Sequence, residues 1–320
     1  MKKNYVSCRI FLIFRALCHS IALFFYFCRG KKILKFEIEK MQIKLNNQLF
    51  NLSTPIVMGI INVTPDSFFA DSRHKTPAKL LHSVEKIIKD GGKIVDLGGY
   101  STRPLAENIS TEEEISRLSF ALEVILKEFP DIIVSVDTFR ADVARHVVKN
   151  FNVAIINDIG GGTLDSEMFN MIAELKTTYV LTHTRGTPMT MSQLAQYENV
   201  TAEVITSLEK SLRRLRELGV NDVVVDPGFG FAKTLEQNYR LLKDLSCFSV
   251  LDVPILVGVS RKSMIYNLLE TTPEYALNGT TAVNMLALLG GASILRVHDI
   301  KEAVEAVKIF EMWKSSNLIN

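Results

Sequence analysis

A set of acids, amides and bases falls at the ends of short apolar runs, which is where chemistry concentrates in many folds. Asn62, Asp137, Asn157, His183 and Asp226 each close such a run, and Asp96 lies inside another. Asp96, Asp137, Asn157 and Asp226 offer hydrogen-bond acceptors and an amide. Because a carboxylate can accept two parallel N–H bonds, such a set suits a flat heterocycle with amino and lactam edges. Arg103, Arg261, Lys262, Arg296 and His298 follow other runs and supply positive charge. That charge suits an anion, and arginine in particular suits phosphate. The combination points to a polar heteroaromatic ring carrying phosphate. No His/Cys spacing fits a zinc site, and no nucleophilic triad stands out.

The elements that must position these groups are legible as a rhythm. Candidate strands run Ile56–Asn62, Ile94–Gly98, Ile132–Asp137, Ala154–Asp158, Tyr179–His183, Val223–Asp226, Ile255–Gly258 and Ile294–Val297. Near-continuous apolar strands suit a parallel sheet covered by helices. Between them, Ile115, Leu118, Leu122 and Ile125 recur at helical spacing after Ser110-x-x-Glu113, which reads as a capping box. Val204, Ile205, Leu208, Leu212 and Leu215 form a second stripe, closed by Gly219. Asp299 reads as the cap of the last helix. Eight β–α units without a second sheet pattern predict an α/β fold, a closed (β/α)₈ barrel, also called a TIM barrel, as one domain. No G-x-G-x-x-G follows the first strand, which argues against an open doubly wound sheet.

In a closed barrel the C-terminal strand ends converge on one mouth, so the acids and bases above become neighbours. A lone carboxylate there is as often a helix cap. A polar residue at every strand end is harder to read that way. The usual phosphate site of such barrels lies after the last two strands, where Arg261, Arg296 and His298 fall. Among the aromatics, Phe68, Phe229 and Phe231 could be core or ring walls. His74, His82 and His146 read as ordinary surface or helix residues, and Gly160–Gly162 as turn glycines.

The 320 residues are 47% apolar, enough for one large core, and the formal net charge is +2. Residues 1–40 hold nine Lys/Arg against two Asp/Glu, and the remainder holds 28 against 33. A slightly acidic body argues against a nucleic-acid protein, which should show a basic footprint. Of four cysteines, Cys8, Cys18 and Cys28 lie in that N-terminal stretch, leaving Cys247 in the body. No disulfide framework is implied, and a reducing, cytoplasmic setting is expected. The uncharged run Ala16–Cys28 is short for a membrane span, and no small-x-small cleavage site follows it. Residues 1–40 are therefore read as an extension outside the 41–320 barrel, with Met41 as an alternative start. An interfacial anchor or a signal are the other readings.

Specific motifs sharpen the expectation. Ile61-Asn62-Val63-Thr64-Pro65-Asp66-Ser67-Phe68, Ser101-Thr102-Arg103-Pro104, Asp226-Pro227-Gly228-Phe229-Gly230-Phe231, Ser260-Arg261-Lys262-Ser263 and Arg296-Val297-His298 occur in this order. The chain resembles the dihydropteroate synthases over about residues 41–314. The resemblance implies a transferase of folate biosynthesis that joins 6-hydroxymethyl-7,8-dihydropterin diphosphate to 4-aminobenzoate, with Mg²⁺ on the diphosphate. It implies that Asp137, Asn157, Asp226 and Lys262 hold the pterin, and that Asn62 helps bind Mg²⁺ and diphosphate. Arg296 and His298 would grip the diphosphate. Thr102, Arg103, Pro104, Ser260, Arg261 and Phe231 would shape the 4-aminobenzoate end. Asp137, Lys262 and Arg296 are the expected catalytic residues, and a homodimer is expected.

The chain departs from the common pattern at Phe69-Ala70-Asp71-Ser72, at Tyr100 where Glu is common, at Leu105 where Gly is common, and at Thr182 where Met is common. Two rivals share the barrel. A pterin-binding methyltransferase using methyltetrahydrofolate would not need Arg296, His298 or the Ser-Thr-Arg-Pro loop. A non-catalytic pterin-binding barrel would bind without releasing diphosphate.

Overall fold

A computed structural model describes residues 41–45, 48–63, 76–100, 109–187 and 190–316. The expectations for Thr102, Arg103 and Pro104, for the first mouth loop and for the N-terminal extension lie outside them.

Ten strands are present among the described residues: β1 (Gln42–Leu45), β2 (Gln48–Asn51), β3 (Ile56–Asn62), β4 (Ile94–Gly98), β5 (Ile133–Asp137), β6 (Ile155–Asp158), β7 (Thr178–Thr182), β8 (Val223–Asp226), β9 (Leu256–Val257) and β10 (Ile294–Val297). The last eight form one parallel sheet in the order β8-β7-β6-β5-β4-β3-β10-β9. A parallel bridge between Val225 and Ile255 joins its two ends, with Val225 N donating to Pro254 O at 2.9 Å. The ring is closed, as expected. Four of the eight strands keep their expected limits. The others shift by a residue or, at β9, shorten to two residues.

Helices α1 (Thr76–Lys89), α2 (Thr111–Glu128), α3 (Ala141–Phe151), α4 (Met168–Leu175), α5 (Val200–Glu217), α6 (Leu235–Lys243), α7 (Ser263–Tyr266), α8 (Leu277–Leu289) and α9 (Ile300–Ser315) connect the strands. Their apolar stripes pack on the outward residues of the strands: Leu118, Leu122 and Ile125 of α2, and Val204, Leu208, Leu212 and Leu215 of α5, join one core with Val95, Leu97, Val134 and Val136. Gly219, with φ +84°, ends α5 in the left-handed region that glycine tolerates. Only half of the expected capping box at α2 forms. Ser110 accepts from Glu113 N, whereas the Glu113 carboxylate turns to Arg117. A full box stands instead at α6, between Thr234 and Gln237. No described helix is long and apolar enough to cross a membrane.

The inward residues divide into two levels. At the bottom, Met58, Ile94, Ile155, Val180, Val224, Leu256 and Ile294 form a separate apolar cluster with Ile43, Leu45 and Leu52. The last three belong to the β1–β2 hairpin and its exit, which corks the N-terminal end of the barrel. Lys44 N donates to Asp222 Oδ1 at 3.0 Å, and Thr178 Oγ1 donates to Lys44 O at 2.5 Å. Burying three aliphatic side chains contributes about 1.5–3 kcal/mol each. Above this apolar floor the inward positions become polar.

Candidate active site

Alternation along each strand sends every second side chain inward. From the apolar floor upward the inward positions are therefore Asn62, Asp96, Ser135 and Asp137, Asn157, Thr182, Asp226, and Arg296. Register brings them side by side: Asp137 lies opposite Asn157, and Thr182 opposite Asp226. The same parity excludes Asp158, adjacent in sequence to Asn157. It faces the helix layer, where it accepts from Gly160 N at 2.6 Å, Gly162 N at 2.7 Å and Tyr179 OH at 2.6 Å. Burial raises Asp158 to about 6 against those bonds.

Arg296 crosses the interior. Its Nε donates to Asp96 Oδ2 at 2.6 Å and its Nη2 to Asp137 Oδ2 at 2.7 Å. Asn157 Nδ2 donates to the same Asp96 oxygen at 3.1 Å. Burial pushes Asp137 above the usual carboxylate range, with Arg296 opposing and Asp96 adding to the rise. Burial disfavours the charge on Arg296, but Asp96 and Asp137 outweigh it and hold the guanidinium firmly protonated. Two glycines leave room beside this bridge. A Cβ on Gly98 would lie 3.3 Å from Asn62 Oδ1, and one on Gly258 would lie 3.8 Å from Arg296 Cβ and 3.9 Å from Asp226 Oδ2.

The loop after β8 supplies the opposite wall. Asp226 Oδ1 accepts from Gly228 N at 2.7 Å. Lys262, from the loop after β9, donates to Phe229 O and lies 4.6 Å from the centroid of the Phe231 ring. Burial lowers Lys262 to about 8, with the Asp226 carboxylate opposing. It also raises Asp226, with Lys262 opposing. Of the two aromatics in this loop, Phe229 is fully buried core and Phe231 is partly exposed beside Lys262. Of the two, Phe231 is the one with exposed surface, and Phe68 lies outside the described residues.

At the end of the barrel's last strands, Ser260 Oγ lies 3.1 Å from His298 Nδ1 and accepts from His298 N at 3.1 Å. This holds the exposed imidazole beside the mouth. Arg261, with φ +55°, turns the other way. Its Nε and Nη2 donate to both oxygens of Asp299 at 2.9 and 2.7 Å, and Nη1 donates to Pro273 O and Glu274 O at 2.8 and 2.9 Å. Asp299 is thus the partner of Arg261 and makes no side-chain cap on α9, contrary to the sequence expectation. All three guanidinium nitrogens of Arg261 bond protein groups.

Some residues of this region were not singled out from sequence. Ser135 Oγ is fully buried, makes no bond to protein and belongs to the inward set, as do Asp96 Oδ1 and Thr182 Oγ1 of two residues already named from sequence. Strand parity was the signal that could have found Ser135. Lys233 follows the glycine-rich loop and meets His183, which the sequence marks only as a strand end. Glu114, fully buried on α2, pairs with Arg140 at 2.7 Å, and Arg140 also donates to Ile109 O at 2.7 Å. Among the described residues no group of three or more His, Cys, Asp or Glu could hold a metal ion. Asn62 offers one amide oxygen at the rim.

Comparison with known proteins agrees with this geometry. The family described as "Pterin binding enzyme" matches residues 58–298. The chain is 40% identical over 272 residues to the dihydropteroate synthase of Escherichia coli K12, covering 83% of this chain and 94% of that protein. The solved Yersinia pestis dihydropteroate synthase with a sulfonamide drug superposes with a TM-score of 0.79 at 34% identity, covering 86% of this chain and 100% of that one. The Thermus thermophilus dihydropteroate synthase in complex with 4-aminobenzoate gives a TM-score of 0.75 at 35% identity, covering 85% and 99%. With that coverage, that identity and one rim carrying acids and bases together, the chain belongs to the pterin-binding enzymes, within the dihydropteroate synthase family.

Proposed function

We propose that this chain joins 6-hydroxymethyl-7,8-dihydropterin diphosphate to 4-aminobenzoate, giving 7,8-dihydropteroate and diphosphate. The observation that carries the reading is the Arg296 bridge to Asp96 and Asp137, facing Asp226 and Lys262 across one polar mouth. A pterin has N–H donors along one edge and a lactam beside them. Asp226 and Asn157 are suited to the first, and the Lys262 ammonium to the second. The buried, protein-unbonded oxygens of Asp96, Ser135 and Thr182 support a polar ring reaching down to that level.

The chemistry follows from charge. When the C–O bond to diphosphate breaks, the pterin methylene becomes cationic and the ring delocalises that charge. A preorganised negative field beside the ring lowers the barrier, and Asp137 is the carboxylate assigned to it. Arg296 and His298 are assigned to the departing diphosphate, Arg296 keeping its acids oriented as it does so. The amine of 4-aminobenzoate then attacks the methylene carbon and loses a proton. Positioning, not nucleophilic activation by the protein, carries this second half. Thr102, Arg103 and Pro104 are assigned to the 4-aminobenzoate end with Phe231. Ser260 and Arg261 are assigned a part there through the groups they hold, His298 and Asp299.

Mg²⁺ is proposed as the companion of the diphosphate. The donor set fits that role: Mg²⁺ binds through one or two protein oxygens plus substrate phosphates, and Asn62 supplies one such oxygen. When bound it would neutralise charge on the leaving group. A homodimer is inferred from exposed apolar side chains on two adjacent helices, Leu286 and Leu289 of α8 and Ile309, Met312 and Trp313 of α9. A cytoplasmic setting is inferred from the single cysteine, Cys247, in the barrel sequence.

The test is turnover. Residues 41–320 are given pterin diphosphate, 4-aminobenzoate and Mg²⁺, and dihydropteroate and diphosphate are measured together. Equal amounts of both are expected. Tight pterin binding without diphosphate release would mark a non-catalytic barrel.

A further inference from the structure

We propose that Lys233 is a positioning residue that sets Lys262 and the Phe231 ring for the pterin. The inference rests on the reading of this mouth as a pterin-diphosphate site. Lys233 Nζ lies 3.1 Å from His183 Nδ1, 2.8 Å from Gly228 O and 3.0 Å from Phe231 O. In its ammonium form Lys233 has three N–H donors and no acceptor, so these three partners use all of them; burial lowers the group to about 7, with the Asp226 carboxylate opposing. The ammonium form requires a neutral imidazole accepting at Nδ1. His183 meets this requirement, because burial, together with the charges of Lys233 and Arg185, lowers it to about 2.

The three acceptors belong to two separate loops. His183 follows β7, whereas Gly228 and Phe231 follow β8. The β8 loop has no regular structure to hold it. Its backbone is left-handed at Gly228 (φ +72°), Gly230 (φ +80°) and Ala232 (φ +48°), the last a non-glycine residue in a costly region. It also lies hard against the end of β7, since a Cβ on Gly228 would meet His183 O at 1.9 Å. Lys233 ties the loop down at Gly228 and Phe231. Between those two anchors lies Phe229 O, the acceptor for Lys262 Nζ, and the second anchor is the residue whose ring Lys262 covers. Lys233 therefore controls the direction in which Lys262 points without facing the ring itself. Two further bonds hold the same loop, Gly230 N to Asn238 Oδ1 at 2.7 Å from α6 and Phe231 N to Gly228 O at 3.1 Å within it, but neither reaches Phe231 O.

A double-substitution cycle on pterin-diphosphate affinity, read by calorimetry, separates positioning from general stabilisation. Lys233→Met keeps the length of the stem and removes the donors. It should weaken binding by about tenfold or more, the scale of one or two lost charged hydrogen bonds. In a Lys262→Met background the same change should add little, because its effect runs through Lys262 and the loop. Unaltered affinity in Lys233→Met, or effects of the two substitutions that multiply fully, would overturn the proposal. Should Lys233→Met fail to fold, Lys233→Gln retains two of the three N–H donors without the charge and permits the same two comparisons. If the unsubstituted chain does not bind pterin diphosphate at all, the reading of the site fails. If it binds and Lys233→Met binds equally well, only this inference fails.

Discussion

Arg296 reaches Asp137 from a strand that is not its neighbour. Nη2 donates to Oδ2 at 2.7 Å across the barrel, and β4 and β3 stand between the two strands in the sheet. Together with the Nε bond to Asp96, this single cation orients two acids above the apolar floor. The bridge links fold to chemistry, because it lets a low-dielectric interior hold acids beside the position assigned to the pterin. Removing one partner from such a group leaves charge uncompensated.

Arg296→Met should therefore cost both stability and binding. A destabilisation of about 3–5 kcal/mol is expected from the stranded acids, read by denaturant unfolding. Affinity for pterin diphosphate should fall in parallel. Arg296→Lys should lie between, because a point charge cannot span two carboxylates as the planar fork does. An unchanged unfolding midpoint in Arg296→Met would contradict the bridge.

The pH profile of kcat/KM should be bell-shaped. Lys262, lowered to about 8 by burial, is a cation below that value and loses its charge as pH rises through it. Activity should fall on that side. Asp137 is pushed upward by burial, so its carboxylate forms only above the ordinary range, and activity should rise there as pH increases. An alkaline limb that stays flat to about pH 10, the region of an ordinary lysine, would remove Lys262 from the site.

Leu45→Ala should separate stability from function. The side chain is buried in the cork at the end of the barrel opposite the mouth. A loss of about 2–5 kcal/mol on unfolding is expected, with KM for both substrates unchanged. A large KM change would mean that the cork shapes the mouth.

Trp313→Glu should convert a dimer to monomers by light scattering, because it places a charge in the exposed apolar face of α8 and α9. A mass that is the same before and after would show that this face does not join two copies.

Much of this architecture was legible because parallel strands announce themselves as apolar runs and the amphipathic helices between them by their spacing. Ile94–Gly98, Val223–Asp226 and Ile294–Val297 keep the limits read from sequence. The hairpin was invisible for a physical reason: four-residue strands such as Gln42–Leu45 place only Ile43 and Leu45 inward, too few to mark a period. At the site, residue type located the rim, but it could not rank neighbours. Asn157 and Asp158, polar neighbours in sequence, are told apart by strand parity. Phe229 and Phe231 differ only in which side of a left-handed turn they occupy. Arg261 and Arg296 carry the same group, yet a positive φ turns the first onto Asp299 while strand alternation turns the second inward. Such distinctions depend on closed geometry, which one sequence does not display.

The most direct test is the crystal structure of the chain with pterin diphosphate bound. The ring should lie among Asp137, Asn157, Asp226 and Lys262, with the diphosphate toward Arg296, His298 and Asn62. A ligand bound away from these side chains, or one reversed so that its phosphates meet Asp226, would contradict the account.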